Sequence, residues 1–154
     1  MNRNFSPYIK FFLICFICEI PNPAICKNYN YFKHSEASYQ IEWCNLHNGI
    51  MEYENSDYTR VDCLTETHAV EFDFAKKWAE GIGQALHYNA MTGKKGKVVL
   101  ILTNPKKEMV YFRRVENLGR KYDFDVEYIT NDILKTTKDG KCSNPKCRCH
   151  YKDN

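Results

Sequence analysis

Apolar and polar residues recur along this chain with two different periods, and the changes of period mark its elements. From Ser35, Tyr39, Trp43 and Leu46 return at helical spacing with Ile41 beside them. Ser35 can cap that helix, and Glu36 falls in its first turn, where the helix dipole favours an acid. Asn48-Gly49 is a stop signal. Residues 50–53 read as a short strand and Glu54-Asn55-Ser56-Asp57 as a turn. Period two then takes over in two strands at 59–65 and 68–74, joined by Glu66-Thr67. In the first, Arg60, Asp62 and Leu64 point one way and Val61 and Cys63 the other. In the second, Ala69, Glu71 and Asp73 share a face opposite Val70, Phe72 and Phe74.

Helical spacing returns at 75–92, where Trp78, Ile82, Ala85 and Leu86 make an apolar stripe and Gly93 follows the end. The run KVVLILT at 97–103 is almost wholly apolar, the mark of a strand buried on both faces. Asn104-Pro105 turns the chain into a second amphipathic helix at 108–122, with Met109, Phe112, Val115 and Leu118 on one side. A last strand is expected at 126–130. The order predicts an α/β fold, an αβββαβ core with a mixed sheet flanked by helices. The expected divisions are a leader at 1–24, a linker at 26–34, the α/β domain at 35–131 and a polar, Cys-rich tail at 132–154 without a packed core of its own.

The leader rests on a charge and hydropathy pattern. Arg3 and Lys10 precede the apolar run 11–18, and Glu19, Pro21 and Pro23 end it. That run is too short for a bilayer span, which needs ~20 residues, and the pattern fits a secretory signal cut after Ala24. A start-site extension or a membrane-surface anchor is the alternative. Export would place the protein in the periplasm or outside the cell, with the cytoplasm as the other reading. Of the eight cysteines, Cys15 and Cys18 would leave with the signal and six would remain. Disulfides are then permitted, with the pairing open.

A chain of 154 residues suits one domain, and 44% hydrophobic residues argue against disorder. A net charge of +3 excludes a strongly basic nucleic-acid binder, so any such contact must rest on a local patch. Lys94, Lys95, Lys97, Arg113 and Arg114 are candidates for sequence-independent phosphate contacts, though each alone is ordinary surface.

The candidate chemistry lies between 59 and 88. If Glu66-Thr67 is a two-residue connection, Thr65 pairs with His68, and Asp62 faces Glu71 across the hairpin with Cβ atoms ~5 Å apart. Two carboxylates at that distance repel unless a hard divalent cation such as Mg²⁺ lies between them. On the following helix Lys77, Gly81, Gln84 and Tyr88 fall on one face beside the apolar stripe, and Gly81 keeps that face low for a ligand. A half-exposed hairpin also shows acids on its open face for no functional reason.

Asp62, then Glu71-Phe72-Asp73 after a hairpin, then a helix bearing Gln84-Ala85-Leu86-His87-Tyr88, resembles the PD-(D/E)XK nuclease superfamily, including the Q-x-x-x-Y element of its exonuclease branch. The resemblance covers roughly residues 35–130. It implies a restriction-endonuclease-like core and Mg²⁺- or Mn²⁺-dependent hydrolysis of DNA, or of RNA. By position it makes Asp62 and Glu71 metal ligands, Glu36 an additional acid, and Gln84 and Tyr88 strand- or water-positioning residues. The pattern departs at Asp73, where the family has a lysine. Some members carry that lysine on the following helix, and Lys77, one helical turn on, is the better-placed substitute, with Lys76 the weaker one. Without either, the fold would be a catalytically inactive module that binds nucleic acid or a protein partner. Separately, Cys142, Cys147, Cys149 and His150 form C-x₄-C-x-C-H, four soft donors that suit either Zn²⁺ or disulfides.

Overall fold

A computed structural model describes residues 34–151. The expected leader at 1–24, its cysteines, Cys26 and all but the last residue of the expected linker lie outside the described residues. Helix α1 (Glu36–Leu46) leads into strands β1 (Ile50–Glu54), β2 (Arg60–Leu64) and β3 (His68–Phe74). A single 3₁₀ turn, Ala75–Lys77, opens α2 (Trp78–Thr92). Strand β4 (Lys95–Ile101), helix α3 (Pro105–Tyr122) and strand β5 (Asp125–Ile129) follow, then short 3₁₀ turns at Asn131–Ile133 and Arg148–His150. The five strands form one mixed sheet in sequence order. The first three are antiparallel, and β3, β4 and β5 are parallel. This is the expected α/β fold with a mixed sheet flanked by helices.

Local chemistry sets the ends of the elements. Gly93 closes α2 at φ 67°, a left-handed conformation that costs glycine nothing. Helix α3 begins at Pro105, earlier than its apolar period suggests. Proline suits the first turn of a helix, and the Glu108 carboxylate accepts the Asn104 N–H at 2.8 Å. At α1, Ser35 stands at the cap, yet its hydroxyl pairs with that of Ser38 at 2.9 Å rather than accepting a backbone N–H.

Strand β4 divides the core. Val99 and Ile101 face α1, packing with Tyr39, Trp43, Val70 and Phe72. Val98 and Leu100 face the other helical layer, packing with Ala85 and Val115. Burial on both faces explains the uninterrupted apolar run in the sequence. Two expected core positions are not core: Leu46 is 64% exposed and Leu86 40% exposed. On α1 the sheet instead takes Tyr39, Trp43 and Cys44, and Cys44 forms a disulfide with Cys63 of β2. Among the described residues no helix is long and apolar enough to cross a membrane.

The tail departs from expectation. Cys142, Cys147 and Cys149 form a buried cluster against the start of α1. Asn144 Nδ2 donates to Ser38 Oγ at 3.2 Å, Lys135 pairs with Glu42 at 3.4 Å, and Ser143 donates to the same carboxylate.

Candidate active site and metal centre

The hairpin register expected from the sequence is the one observed. Cys63 pairs with Val70 and Leu64 with Ala69, which directs Asp62 toward Glu71. The backbone ladder between β2 and β3 stops there. Beyond it the Asp62 carboxylate takes the place of the missing backbone acceptor and receives the Phe72 N–H at 2.8 Å. Opposite, in β1, Glu52 has a left-handed backbone at φ 52°, and the β1–β2 pairing skips that residue. Strict alternation fails here too: Val61 and Leu64 pack in one cluster with Ala69 and Tyr88. The local departure from the ladder opens a gap between the two strands, and the acids gather at it.

Glu71 and Asp73 lie on the face of β3 that carries Ala69, toward α2. They are 4% and 2% exposed. Among the described residues, Glu71 Oε2 and Asp73 Oδ2 are the buried side-chain polar atoms without a hydrogen-bond partner. A buried, unpaired carboxylate oxygen is costly. Burial raises the Glu71 pKa, and the neighbouring charges of Asp62 and Asp73 raise it further. Burial likewise raises Asp62, and the Phe72 N–H pulls part of that back. Asp73 is pushed up to about 6 by burial, against the opposing Lys77. From the other helical layer, Glu36 at the start of α1 is pushed up to about 7, first by burial and then by Asp73 and Asp62. Glu71 thus feels the charges of Asp62, Asp73 and Glu36, and Glu36 those of Asp73 and Asp62, although among the described residues no three of these acids bring donor atoms within 4.8 Å of one another.

Gln40 is a member that sequence reasoning missed. It is 5% exposed, donates to Glu36 at 3.5 Å and also acts on Asp62. Its one available signal is the i, i+4 spacing from Glu36.

The helix face is not a solvated one. Gly81 and Tyr88 are buried with Ala85, so that part of the face is turned to the sheet, with Gln84 half-buried and Lys77 exposed. A Cβ at Gly81 would lie 3.1 Å from Asp73 Oδ2, so the glycine makes room for that carboxylate rather than for a ligand. Gln84 donates to the Tyr88 hydroxyl at 3.3 Å. Burial pushes the Tyr88 phenol up to about 12, and the charges of Glu71 and Asp62 act in the same direction. Lys77 Nζ stands 3.5 Å from Asp73 Oδ1 and 3.4 Å from Glu80 Oε2, with its side chain 56% exposed. Both acids raise its pKa. It stays charged at the rim of the site.

The basic residues are less free than the sequence suggests. Lys95 pairs with Asp123 and Asp125 at 3.2 and 2.8 Å, and Lys97 with Glu127 at 3.3 Å. Lys94 donates to the Glu66 carbonyl. Arg114 lies over the rings of Trp78 and Tyr111, while Arg113 is exposed.

A second donor set lies in the tail. His34, Cys142, Cys147 and Cys149 are all buried, and each offers one donor atom within 4.8 Å of the others. Among the described residues it is the group of three or more His, Cys, Asp or Glu donors drawn that close. The expected fourth member, His150, is not part of it. Its Nε2 is instead 3.0 Å from the Cys142 carbonyl oxygen. His34 replaces it from more than a hundred residues upstream, a pairing that local spacing cannot reveal.

No known family, curated protein or solved structure matches this chain.

Proposed function

We propose that the acid set at the β2–β3 gap is the active site of a metal-dependent nuclease with a restriction-endonuclease-like core. The observation that carries this reading is the pair of buried, unpartnered oxygens, Glu71 Oε2 and Asp73 Oδ2, beside Asp62 and Glu36. Four acids held together with raised pKa values are unfavourable unless something positive completes them. The donors are all hard oxygens, which fit Mg²⁺ or Mn²⁺. Asp62 and Glu71 would hold the ion, which supplies Lewis-acid polarisation of a phosphate and a more acidic water. The element order from α1 to β4 agrees with the αβββαβ order of the superfamily that the motifs resemble.

The chain's own groups divide the remaining work. Lys77, charged and at the rim, stabilises negative charge developing on the scissile phosphate. Gln84 and Tyr88 hold one another beside Glu71 and orient the strand. Asp73 keeps the Lys77 ammonium at the gap. Nucleic acid, DNA in the first instance, is the substrate.

One observation favours a second reading. The Lys77 ammonium is engaged by Asp73 and Glu80, and Asp73 occupies the motif position of a lysine. A catalytically inactive module that binds nucleic acid or a protein would have this arrangement. Incubation with labelled DNA and RNA in Mg²⁺ or Mn²⁺ separates the two. Metal-dependent cleavage supports the nuclease, and retention of nucleic acid without cleavage supports the module.

A further inference from the structure

The tail cluster packs on Ser35 and Ser38 at the start of α1 and has a different chemistry from the acids. We propose that His34, Cys142, Cys147 and Cys149 bind one Zn²⁺ that clamps the C-terminal tail onto the start of α1. The donor type comes first. Three thiols and one imidazole are soft ligands, and a Cys₃His set is a common composition of closed structural zinc sites.

Spacing decides between a metal and a disulfide. Zinc–sulfur bonds of ~2.3 Å and zinc–nitrogen bonds of ~2.0 Å in a tetrahedron put two sulfurs about 3.8 Å apart and a sulfur and a nitrogen about 3.5 Å apart. Cys142 Sγ and Cys149 Sγ stand 3.5 Å apart, and Cys147 Sγ and His34 Nδ1 3.7 Å apart. A disulfide would need about 2.05 Å.

The surroundings are built for thiolates. The Ser35 N–H donates to Cys147 Sγ at 3.3 Å and the Cys142 N–H to Cys149 Sγ at 3.4 Å. Ser38 Oγ lies 3.5 Å from Cys142 Sγ. Backbone N–H groups aimed at ligand sulfur orient and stabilise a metal's donors. The four donor residues are 7%, 4%, 0% and 1% exposed, in chain order, so the site is closed and has no open position for a substrate. On binding, the thiols release their protons to solvent and the imidazole coordinates in its neutral form.

The clamp has a structural consequence. His34 and Ser35 immediately precede Glu36, and Ser38 follows within the same turn. The zinc site therefore anchors the turn that brings Glu36 to the acid set. The inference itself does not depend on nuclease activity, since its readout is the metal.

The test is metal analysis of the full chain purified under reducing conditions without chelator, followed by Co²⁺ substitution. We expect one zinc per chain and a Co²⁺ spectrum with thiolate charge-transfer bands. His150→Ala should keep both. His34→Ala and Cys147→Ser should lose zinc at equimolar metal. His34→Cys should bind again, with a Co²⁺ spectrum shifted toward four sulfurs. That rescue guards against a variant that merely fails to fold. Wild-type protein without zinc and without thiolate–cobalt bands would overturn the proposal. So would a Cys142–Cys149 disulfide in protein prepared this way, or zinc lost from His150→Ala and kept by His34→Ala.

Discussion

The Asp62 carboxylate accepts the Phe72 backbone N–H at 2.8 Å, across the gap where β2 and β3 stop pairing. A side chain thus serves as a strand acceptor, and the acid that does so is held beside Glu71 rather than swinging into solvent. A bound cation would relieve repulsion within a set of acids already fixed in place.

Metal-free protein should therefore lose stability as pH rises. Glu36 titrates at about 7 in the folded chain against an ordinary 4.5, and Asp73 at about 6 against 3.8. The folded state holds these protons more tightly than the unfolded chain. Their contribution is complete below the unfolded values and is lost as pH climbs through the folded ones. Thermal melts in chelator should show a Tm lower at about pH 7.5 than at about pH 5, with a shallower slope for Glu36→Gln. Mg²⁺ should narrow the difference. A Tm that climbs over this window in chelator would contradict the raised values.

Gly81 and Gly83 are two residues apart on α2 and should respond in opposite ways. Alanine at Gly81 crowds Asp73 Oδ2 at 3.1 Å, while alanine at Gly83 meets open space. Gly83→Ala should stabilise by about 1 kcal/mol through helix propensity alone. Gly81→Ala should displace the Asp73 carboxylate and weaken Mg²⁺ binding, as calorimetry would report. Equal effects of the two substitutions would mean that Asp73 is not held as described.

Lys77→Ala should separate chemistry from stability. The side chain is 56% exposed and its pair with the exposed Glu80 contributes less than ~1 kcal/mol, whereas Asp73 is buried and loses its counter-charge when Lys77 is removed. Loss of a charge that stabilises the transition state costs about 10²–10³-fold in rate. Cleavage should fall by that factor, well beyond what the accompanying drop in Tm explains, and Lys77→Arg should recover part of both. Unaltered cleavage by Lys77→Ala would remove the lysine from the mechanism.

The Cys44–Cys63 disulfide ties α1 to β2 across 19 residues. A loop of that size gives about 3 kcal/mol of stabilisation, so the double substitution to alanine should lower the denaturation midpoint accordingly. Gly49→Ala should do comparable harm, because its Cβ would collide with Cys63 Sγ and crowd Cys44 Sγ. A midpoint unchanged in both would show that the bridge adds nothing.

These residues also show what was legible in advance. The two-residue connection at Glu66-Thr67 and the period-two pattern were enough to set the hairpin register, because a slip of one would turn every apolar side chain to the wrong face. The apolar run of β4 declared burial on both sides. The helix face was harder. Lys77, Gln84 and Tyr88 look like solvated polar positions, yet Gly81 and Tyr88 are buried, because a small residue and an amphipathic ring let α2 lie close on β3. In the tail, local spacing misleads for a reason of range. C-x₄-C-x-C-H offers His150 locally, whereas the fold supplies His34 from more than a hundred residues upstream. Cys44 and Cys63 were visible as cysteines, but their pairing depended on how α1 crosses the sheet.

The most direct measurement is cleavage of labelled DNA and RNA by wild-type protein and by Asp62→Asn and Glu71→Gln, in Mg²⁺, in Mn²⁺ and in chelator. A nuclease site at the β2–β3 gap requires cleavage by the wild type in metal alone and its loss in both variants, each verified as folded by its melt. Cleavage that persists in either variant, or absence of cleavage in every metal by folded wild-type protein, would contradict it.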